Sequence, residues 1–215
     1  MLNIKRIVCN PFQENCYILS DDTKESVIID CGAYFATERE EIVTYIRDNG
    51  LKLKHLLATH AHIDHNFGNN TILEFFDCKP EIHYADAALM ESLPMQYILF
   101  FNSKLDYSLP TVGSFFTDND VISFGKHELK IIHTPGHSPG SVVFYCKEEK
   151  IAFSGDTLFK MSIGRTDLEG GSYEDIIDSI NKLTLTLPHD TIVYPGHGPE
   201  TTIGYEAIYN PYIKK

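Results

Sequence analysis

Hydrophobic and polar residues alternate over short stretches in the first third of the chain, and turns separate these stretches. Three of them lie around Ile4–Val8, Tyr17–Leu19 and Val27–Ile29, and the third runs directly into Asp30 and Cys31. A period of two residues places successive side chains on opposite faces of a strand. The pattern therefore predicts three strands that begin the fold as an antiparallel sheet.

Helical spacing of apolar residues predicts three helices, over residues 38–49, Asn70–Phe76 and Tyr173–Leu185. Near the start of the first helix, Thr37 and Glu40 have the spacing of a capping box, and Gly50 provides a C-terminal stop. In the third helix, Ile176 and Ile180 recur on one face. A one-sided apolar stripe of this kind is typical of a helix that packs on a core.

Further strands are predicted at Leu53–Ala58, Glu81–Tyr84, Leu129–His133, Val142–Cys146, Ile151–Phe153 and Thr191–Tyr194. Strands dominate both halves of the chain, and helices interrupt them. This order indicates an α/β (α+β) fold in which two sheets pack face to face with helices outside.

The segment Leu93–Phe116 shows no clear period. It is rich in aromatic residues and is bounded by Pro94 and Pro110. We interpret it as core or subunit-interface packing in preference to an active-site lid.

The composition is that of an ordinary globular protein, with 43% hydrophobic and 22% charged residues. A chain of 215 residues fits a single domain, 1–215, with a substantial core. The formal net charge of −12 repels phosphate backbones and anionic membrane surfaces, which argues against nucleic acid as a partner. No apolar run approaches the roughly 18 residues needed to span a bilayer, so no membrane partner is expected.

Five cysteines are spread over the chain, an odd number that includes no C-x-x-C pair. The N-terminus does not resemble a signal peptide. Both features favour a reducing cytoplasm as the location. We interpret four of the cysteines as small buried hydrophobic residues and leave the role of Cys31 open.

Four side chains of metal-ligand type follow the predicted strand that ends at Ala58, in the sequence His60-Ala61-His62-Ile63-Asp64-His65. In an extended backbone, positions 60, 62 and 64 point the same way and position 65 is their neighbour, so all four can converge. Imidazole and carboxylate are ligands for zinc and iron, and the absence of cysteine argues against a closed structural zinc site. The alternative is a solvated polar loop, which a four-residue pattern makes less favoured.

Two similar turns each carry one histidine. TPGHSP at residues 134–139 and YPGHGP at 194–199 both follow predicted strands. Proline fixes φ and glycine permits a tight backbone, so each turn should hold its histidine rigidly at a sheet edge. The repetition makes His137 and His197 candidate metal ligands.

Asp156 follows the predicted strand Ile151–Phe153 within Ser154-Gly155-Asp156-Thr157. A lone aspartate in this position is usually a turn residue or a helix cap. Here, six other ligands divide into three per metal. A bridging carboxylate and a shared hydroxide would complete two sites about 3.5–4 Å apart.

The motifs THAHIDH, TPGHSPGS, SGDTLF and YPGHGPET, in this order and spacing, resemble those of the metallo-β-lactamase superfamily over nearly the whole chain. The run GDTLF followed by SIGRTDL is similar to the short glyoxalase II-like (hydroxyacylglutathione hydrolase-like) branch. The resemblance implies a four-layer αββα sandwich with the metals at one edge of the two sheets.

The resemblance also assigns two metal ions to the seven candidate ligands. The first ion is assigned His60, His62 and His137. The second is assigned Asp64, His65 and His197, with Asp156 as the bridge.

The resemblance also implies a role for one residue that is not a metal ligand. The basic residue that contacts the substrate in the family corresponds to Arg165. A surface salt bridge is the open alternative for this residue. We interpret Asp30 as a support for the site. The remaining histidines are interpreted as structural or surface residues, although His133 could support the site because it lies four residues before His137.

The reaction implied by the resemblance is hydrolysis of a thioester such as a hydroxyacylglutathione. The nucleophile would be a hydroxide that bridges two divalent metals, zinc first and iron or manganese as alternatives, with Asp64 orienting it. The chain ends at Lys215 without room for the C-terminal helical domain that contributes glutathione contacts in full-length glyoxalase II. The acidic net charge does not favour an anionic glutathione thioester either.

Three functions are alternatives to the thioester hydrolase. The first is a persulfide dioxygenase-like oxidoreductase, which would hold one iron through His60, His137 and Asp156. A β-lactamase is less favoured because its zinc-dependent forms commonly place Cys or Ser where Asp156 stands. A non-enzymatic metal-binding or interaction protein is disfavoured because all seven ligands are intact.

Overall fold

The architecture was established from a computed structural model, which describes residues 1–213. One six-stranded sheet contains β1 (Asn3–Cys9), β2 (Glu14–Ser20), β3 (Glu25–Ile29), β4 (Lys52–Leu57), β5 (Pro80–His83) and β6 (Ser114–Phe116). Its strands lie side by side in chain order. The first three pair antiparallel, as predicted, and β3 to β6 pair parallel.

The second six-stranded sheet is built from β7 (Val121–Phe124), β8 (His127–His133), β9 (Val142–Cys146), β10 (Ile151–Gly155), β13 (Ile192–Pro195) and β14 (Thr201–Thr202). A small hairpin, β11 (Leu158–Phe159) and β12 (Ser162–Ile163), lies between β10 and β13 in the chain. In the sheet, β10 and β13 pair parallel, so their carboxyl ends point to the same edge.

Six helices accompany the sheets in the described part of the chain: α1 (Ala36–Asp48), α2 (Asn69–Phe76), α3 (Ala87–Glu91), α4 (Leu93–Phe101), α5 (Tyr173–Thr186) and α6 (Ile203–Tyr209). The space between the two sheets is filled by their inner faces, including Tyr17, Phe144 and Phe153. Residues of α1 and α2 pack on the outer face of the first sheet, and residues of α5 and α6 pack on that of the second. The four-layer αββα sandwich is therefore confirmed.

The N-terminus of α1 differs from the prediction. The helix begins at Ala36, and Phe35 is its N-cap. The carboxylate of Glu38 accepts hydrogen bonds from the backbone N–H groups of Phe35 and Tyr34, at 2.9 and 2.8 Å. The capping box read at Thr37 and Glu40 was wrong, because Glu38 is the residue whose side chain reaches the free N–H groups.

The segment Leu93–Phe116 contains α4 and β6, which the hydrophobic pattern did not resolve. Leu93 and Tyr97 of α4 are buried, whereas Met95 and Leu99 are 58% and 76% exposed. A helix with apolar residues on both its buried and its exposed faces gives no amphipathic period. The core packing predicted for the segment is confirmed for α4, whose buried residues join a cluster beside the loop that follows β4.

No helix within residues 1–213 is both long enough and apolar enough to cross a bilayer. The longest, α5, has 14 residues.

His83 is a buried histidine without a hydrogen-bond partner on either ring nitrogen. Its ring stacks on His133, with 4.3 Å between the ring centroids. Burial and the neighbouring His133 lower the pKa of His83 to about 4. Since the unfolded chain takes up this proton near pH 6.5, the contribution of neutral His83 to stability is present above that pH and is lost as the pH falls toward 4.

We therefore expect His83→Phe to remove part of the acid sensitivity of folding. We compare the melting temperatures of the variant and the unchanged protein by thermal denaturation. The difference, variant minus unchanged protein, should increase by several degrees when the pH is lowered from 7 to 4.5. His189→Asn, at an exposed histidine, is the matched control. If the melting temperatures of His83→Phe and the unchanged protein fell in parallel as the pH is lowered, His83 would not be a source of the acid sensitivity.

Candidate metal centre

Loops from both sheets meet at one edge of the sandwich and carry all seven predicted ligands. His60 and His62 follow β4, and a 3₁₀ turn at Ile63–His65 comes next. This turn differs from the extended backbone predicted for positions 60–65, but it still directs Asp64 and His65 into the same region. His137 follows β8, Asp156 follows β10, and His197 follows β13.

The first group of side chains consists of His60, His62 and His137, whose possible ligand atoms all lie within 4.8 Å of one another. His137 Nε2 lies 2.8 Å from His62 Nδ1 and 3.2 Å from His60 Nε2. In a tetrahedral zinc site with bonds of about 2.0–2.1 Å, two nitrogen ligands are about 3.3 Å apart. The three rings are therefore spaced to hold one ion.

The second group consists of Asp64, His65 and His197. The Nε2 atoms of the two histidines are 3.2 Å apart. Asp64 Oδ2 lies 3.3 Å from His197 Nε2 and 3.7 Å from His65 Nε2. This group offers a second set of three ligand atoms.

Asp156 lies between the two groups. Its Oδ1 atom is 3.4 Å from His65 Nε2, and its Oδ2 atom is 3.5 Å from His137 Nε2 and 3.6 Å from His197 Nε2. Oδ1 is buried and has no hydrogen-bond partner. A buried carboxylate oxygen without a partner is costly, and a cation at this position would satisfy it.

Hydrogen bonds fix the orientation of four of the five rings. The Nδ1 atoms of His137 and His197 donate to the backbone carbonyls of Arg165 and Phe12, at 2.7 and 3.0 Å. Those of His60 and His65 lie 3.0 Å from the Thr59 hydroxyl and the Asp30 carboxylate. These bonds leave the Nε2 atoms free as ligands, as is usual for metal-binding histidines.

Asp30 supports two of these rings at once. Besides His65, it accepts hydrogen bonds from the backbone N–H and the hydroxyl of Thr59, at 2.7 and 2.8 Å. The Thr59 hydroxyl can therefore accept from His60 Nδ1. Asp30 itself lies behind the rings, which agrees with its interpretation as a support.

The charges of the site favour a cation. Burial and the neighbouring histidines lower the pKa of His60 well below its usual value, and they lower that of His62 to about 3, so both rings are neutral ligands at neutral pH. Burial alone would raise the pKa of Asp156, but the facing His65 holds it well below its usual range. Burial likewise opposes protonation of His65, yet Asp156, Asp64 and Asp30 raise the pKa of this histidine. The carboxylates thus attract positive charge, which either a proton or a metal ion can provide.

The two similar turns need their glycines for different reasons. Gly136 has a φ of +134°, and a Cβ atom there would lie 2.2 Å from the backbone nitrogen of Ile176. Gly196 has no positive φ, but a Cβ atom there would lie 2.3 Å from Asp156 Oδ1 and 2.7 Å from His65 Cε1. Gly136 lets its turn approach α5, whereas Gly196 leaves room for the ligands themselves.

Asp86 is a buried support that the sequence reasoning missed. Its carboxylate accepts hydrogen bonds from the backbone N–H groups of Ala61 and Gly140 and from the hydroxyl of Ser138. It therefore ties the loop of His60 to the turn of His137. A signal existed, because Asp86 comes shortly after β5, which runs parallel to β4 and ends at the same edge.

The remaining histidines lie outside the cluster. His55 contacts Glu81, and His127 contacts Asp21 and Glu149. His133 Nε2 donates to the carbonyl of Pro139 at 2.8 Å, so it supports the turn that carries His137. Four of the five cysteines, Cys31 among them, are buried, and all five are free thiols.

A cleft of about 210 Å³ opens beside the metal centre. Besides metal-ligand side chains, it is lined by Phe12, Phe100, Leu168 and Arg165. The Arg165 guanidinium binds the Asp167 carboxylate through two hydrogen bonds of 2.7 and 2.8 Å. Arg165 thus lines the cleft and also forms the surface salt bridge that was its alternative.

Residues 9–197 match the sequence profile of the metallo-β-lactamase superfamily. Hydroxyacylglutathione hydrolase GloC of Haemophilus influenzae is 39% identical over 99% of this chain and 98% of its own. The crystal structure of BLEG-1 B3 metallo-β-lactamase superposes with a TM-score of 0.89 at 36% identity, covering 99% of this chain and 100% of that one. The crystal structure of TTHA1623 in a di-iron-bound form gives a TM-score of 0.84 at 33% identity, covering 97% and 100%.

Proposed function

The chain belongs to the metallo-β-lactamase superfamily, and on that premise we propose that this metal-dependent hydrolase cleaves thioesters of small acyl groups. One observation carries the proposal most directly. Five histidines and two aspartates converge at one sheet edge, and the Asp156 oxygen in their midst is buried without a hydrogen-bond partner. The 39% identity to a hydroxyacylglutathione hydrolase supports the thioester as substrate.

Two divalent ions fit the donor set. His60, His62 and His137 would hold one ion, Asp64, His65 and His197 the other, and Asp156 both. Imidazole and carboxylate suit zinc first, and iron and manganese also accept them. The likeness to a structure in a di-iron-bound form supports iron as the alternative.

Bound divalent ions would supply an ionised water near neutral pH and neutralise the oxyanion that forms at the acyl carbonyl. Asp64 faces the cleft and can accept a hydrogen bond from the attacking water, which orients it. The leaving thiolate needs little help from a general acid, because thiols ionise at a low pKa. No serine or cysteine side chain is required as a nucleophile.

The proposed partner is a small-molecule substrate, because the cleft of about 210 Å³ admits only a small group beside the ligands. We also propose a cytoplasmic location, since all five cysteines are free thiols.

Elemental analysis of the purified protein should find two divalent ions per chain. The metal-loaded protein should hydrolyse S-lactoylglutathione, and a chelator should abolish this activity until zinc, iron or manganese is restored. One iron per chain, with oxygen consumption on glutathione persulfide and no thioester cleavage, would support the dioxygenase alternative instead.

β-Lactam hydrolysis is a second candidate, favoured by the 36% identity to BLEG-1 B3 metallo-β-lactamase over nearly the whole chain. Water attacks a carbonyl in both reactions, so the same residues could serve either. Nitrocefin and S-lactoylglutathione assayed on one preparation distinguish them. The thioesterase proposal expects the higher kcat/KM for the thioester.

A further inference from the structure

Apart from Arg165 and the candidate metal ligands, the wall of the cleft is apolar. Phe12 and Phe100 contact each other edge to face, with 5.6 Å between their ring centroids. Leu168 also lines the cleft. The two aromatic rings are 39% and 43% exposed, so they offer apolar surface that a substrate can cover.

This wall is held in place by the same contacts that hold the metal centre. The backbone carbonyl of Phe12 accepts the hydrogen bond of His197 Nδ1. The ring of Phe12 also packs on Phe101, at 5.9 Å, and Phe101 stacks on the buried Tyr97. The apolar surface is therefore preformed at a fixed distance from the reacting centre.

The positive charge of Arg165 at the cleft is already paired with a carboxylate of the protein. Apart from histidines, Arg165 is the only cationic residue that lines the cleft in the described part of the chain. Both hydrogen bonds of its side chain go to Asp167, which lies two residues away and is largely exposed. The carboxylate takes two of the five N–H donors of the guanidinium and offsets its charge, so Arg165 offers little net positive charge to an anionic substrate group.

We infer that the site takes thioesters whose thiol half is uncharged, with apolar atoms of the substrate covering Phe12 and Phe100. This inference rests on the proposed thioesterase function and names its substrate class. It differs from a glutathione thioester, whose thiol half carries two carboxylates and one ammonium group and is therefore a net anion that positive charge in the site would help to bind. The net charge of −12 gives no long-range attraction for such an anion either.

The first test compares two esters with the same acyl group, S-lactoylglutathione and S-lactoyl-N-acetylcysteamine. Hydrolysis of either adds water across the C–S bond and releases lactate and a free thiol, which a thiol reagent detects. We expect the metal-loaded protein to cleave the uncharged ester with a kcat/KM at least equal to that of the glutathione ester. Neither value should fall with added salt.

The second test releases the arginine. Asp167→Asn should raise the kcat/KM ratio of the glutathione ester to the uncharged ester by about threefold to tenfold, and high salt should abolish the gain. Glu169→Gln removes one negative charge from the same loop at a residue that does not line the cleft. This control should leave the ratio unchanged.

The third test removes the apolar wall. Phe100→Ala should raise KM and lower kcat/KM for the uncharged ester by about tenfold, the size expected when a few apolar contacts are lost. Leu99→Ala is the matched control, because Leu99 lies on the same helix, is 76% exposed and does not line the cleft.

The outcomes separate the inference from the function on which it rests. A higher kcat/KM for the glutathione ester than for the uncharged ester, or an Asp167→Asn protein with an unchanged ratio, would overturn the substrate class while leaving a thioesterase. Cleavage of neither ester by the metal-loaded protein would overturn both proposals.

Discussion

Asp156→Ala is expected to lose at least about 10³-fold in kcat/KM and to bind fewer metal ions than the unchanged protein. The two oxygens of Asp156 lie 3.4–3.6 Å from the Nε2 atoms of His65, His137 and His197, so this carboxylate touches both groups of ligands. Removal of a single preorganised group that stabilises developing charge costs roughly 10²–10³ in rate. Asp156 would also hold the ions, and its loss removes the carboxylate that lies between the two groups of ligands.

Metal content by elemental analysis and thioester cleavage on the same preparation would test this expectation. Asp178→Ala removes an exposed aspartate from α5 and serves as the control. A circular dichroism spectrum like that of the unchanged protein would show that the fold survives. Unchanged metal content and activity in Asp156→Ala would refute the role of this residue in the metal centre.

Among the substitutions named here, Asp86→Ala should lower the stability of the fold the most. It would leave the buried backbone N–H groups of Ala61 and Gly140 without acceptors. Each buried donor without an acceptor lowers the free energy of unfolding by about 1–3 kcal/mol. Burial raises the pKa of Asp86, because a charged carboxylate is costly to keep away from water, and this cost offsets part of the loss. We therefore expect a net loss of about 3 kcal/mol, or a melting temperature about 10 °C lower.

Thermal denaturation of Asp86→Asn distinguishes hydrogen bonding from packing. The amide keeps the shape and one acceptor oxygen, but its NH₂ group faces a donor. The melting temperature of Asp86→Asn should therefore lie between those of the unchanged protein and Asp86→Ala. The loops of His60 and His137 should also loosen in Asp86→Ala, which predicts weaker metal retention against a chelator. A melting temperature within about 3 °C of the unchanged protein would contradict the role of Asp86.

The sequence predicted most of the strands and three helices because their residues bury one face locally. Where both faces of an element are apolar or its residues are few, as in α4 and β6, the pattern carries no period and the element was missed. The start of α1 was misplaced because Glu38 also binds the backbone N–H of Asn10, 28 residues away. Such a contact does not show in local spacing.

For the site, the sequence by itself determined the candidate ligands, since ligand chemistry resides in residue type and the turns around His137 and His197 are local. Only the tertiary structure decided what surrounds them. Asp86 and Asp30 lie far from their partners in the chain, and their hydrogen bonds exist only once two strands are adjacent. The pairing of Arg165 with Asp167 and the wall formed by Phe12 and Phe100 likewise depend on how side chains meet in space. Apart from the Arg165–Asp167 pair, which lies within one loop, these contacts join residues far apart in the chain, so the charge and shape of the cleft form only when the chain folds.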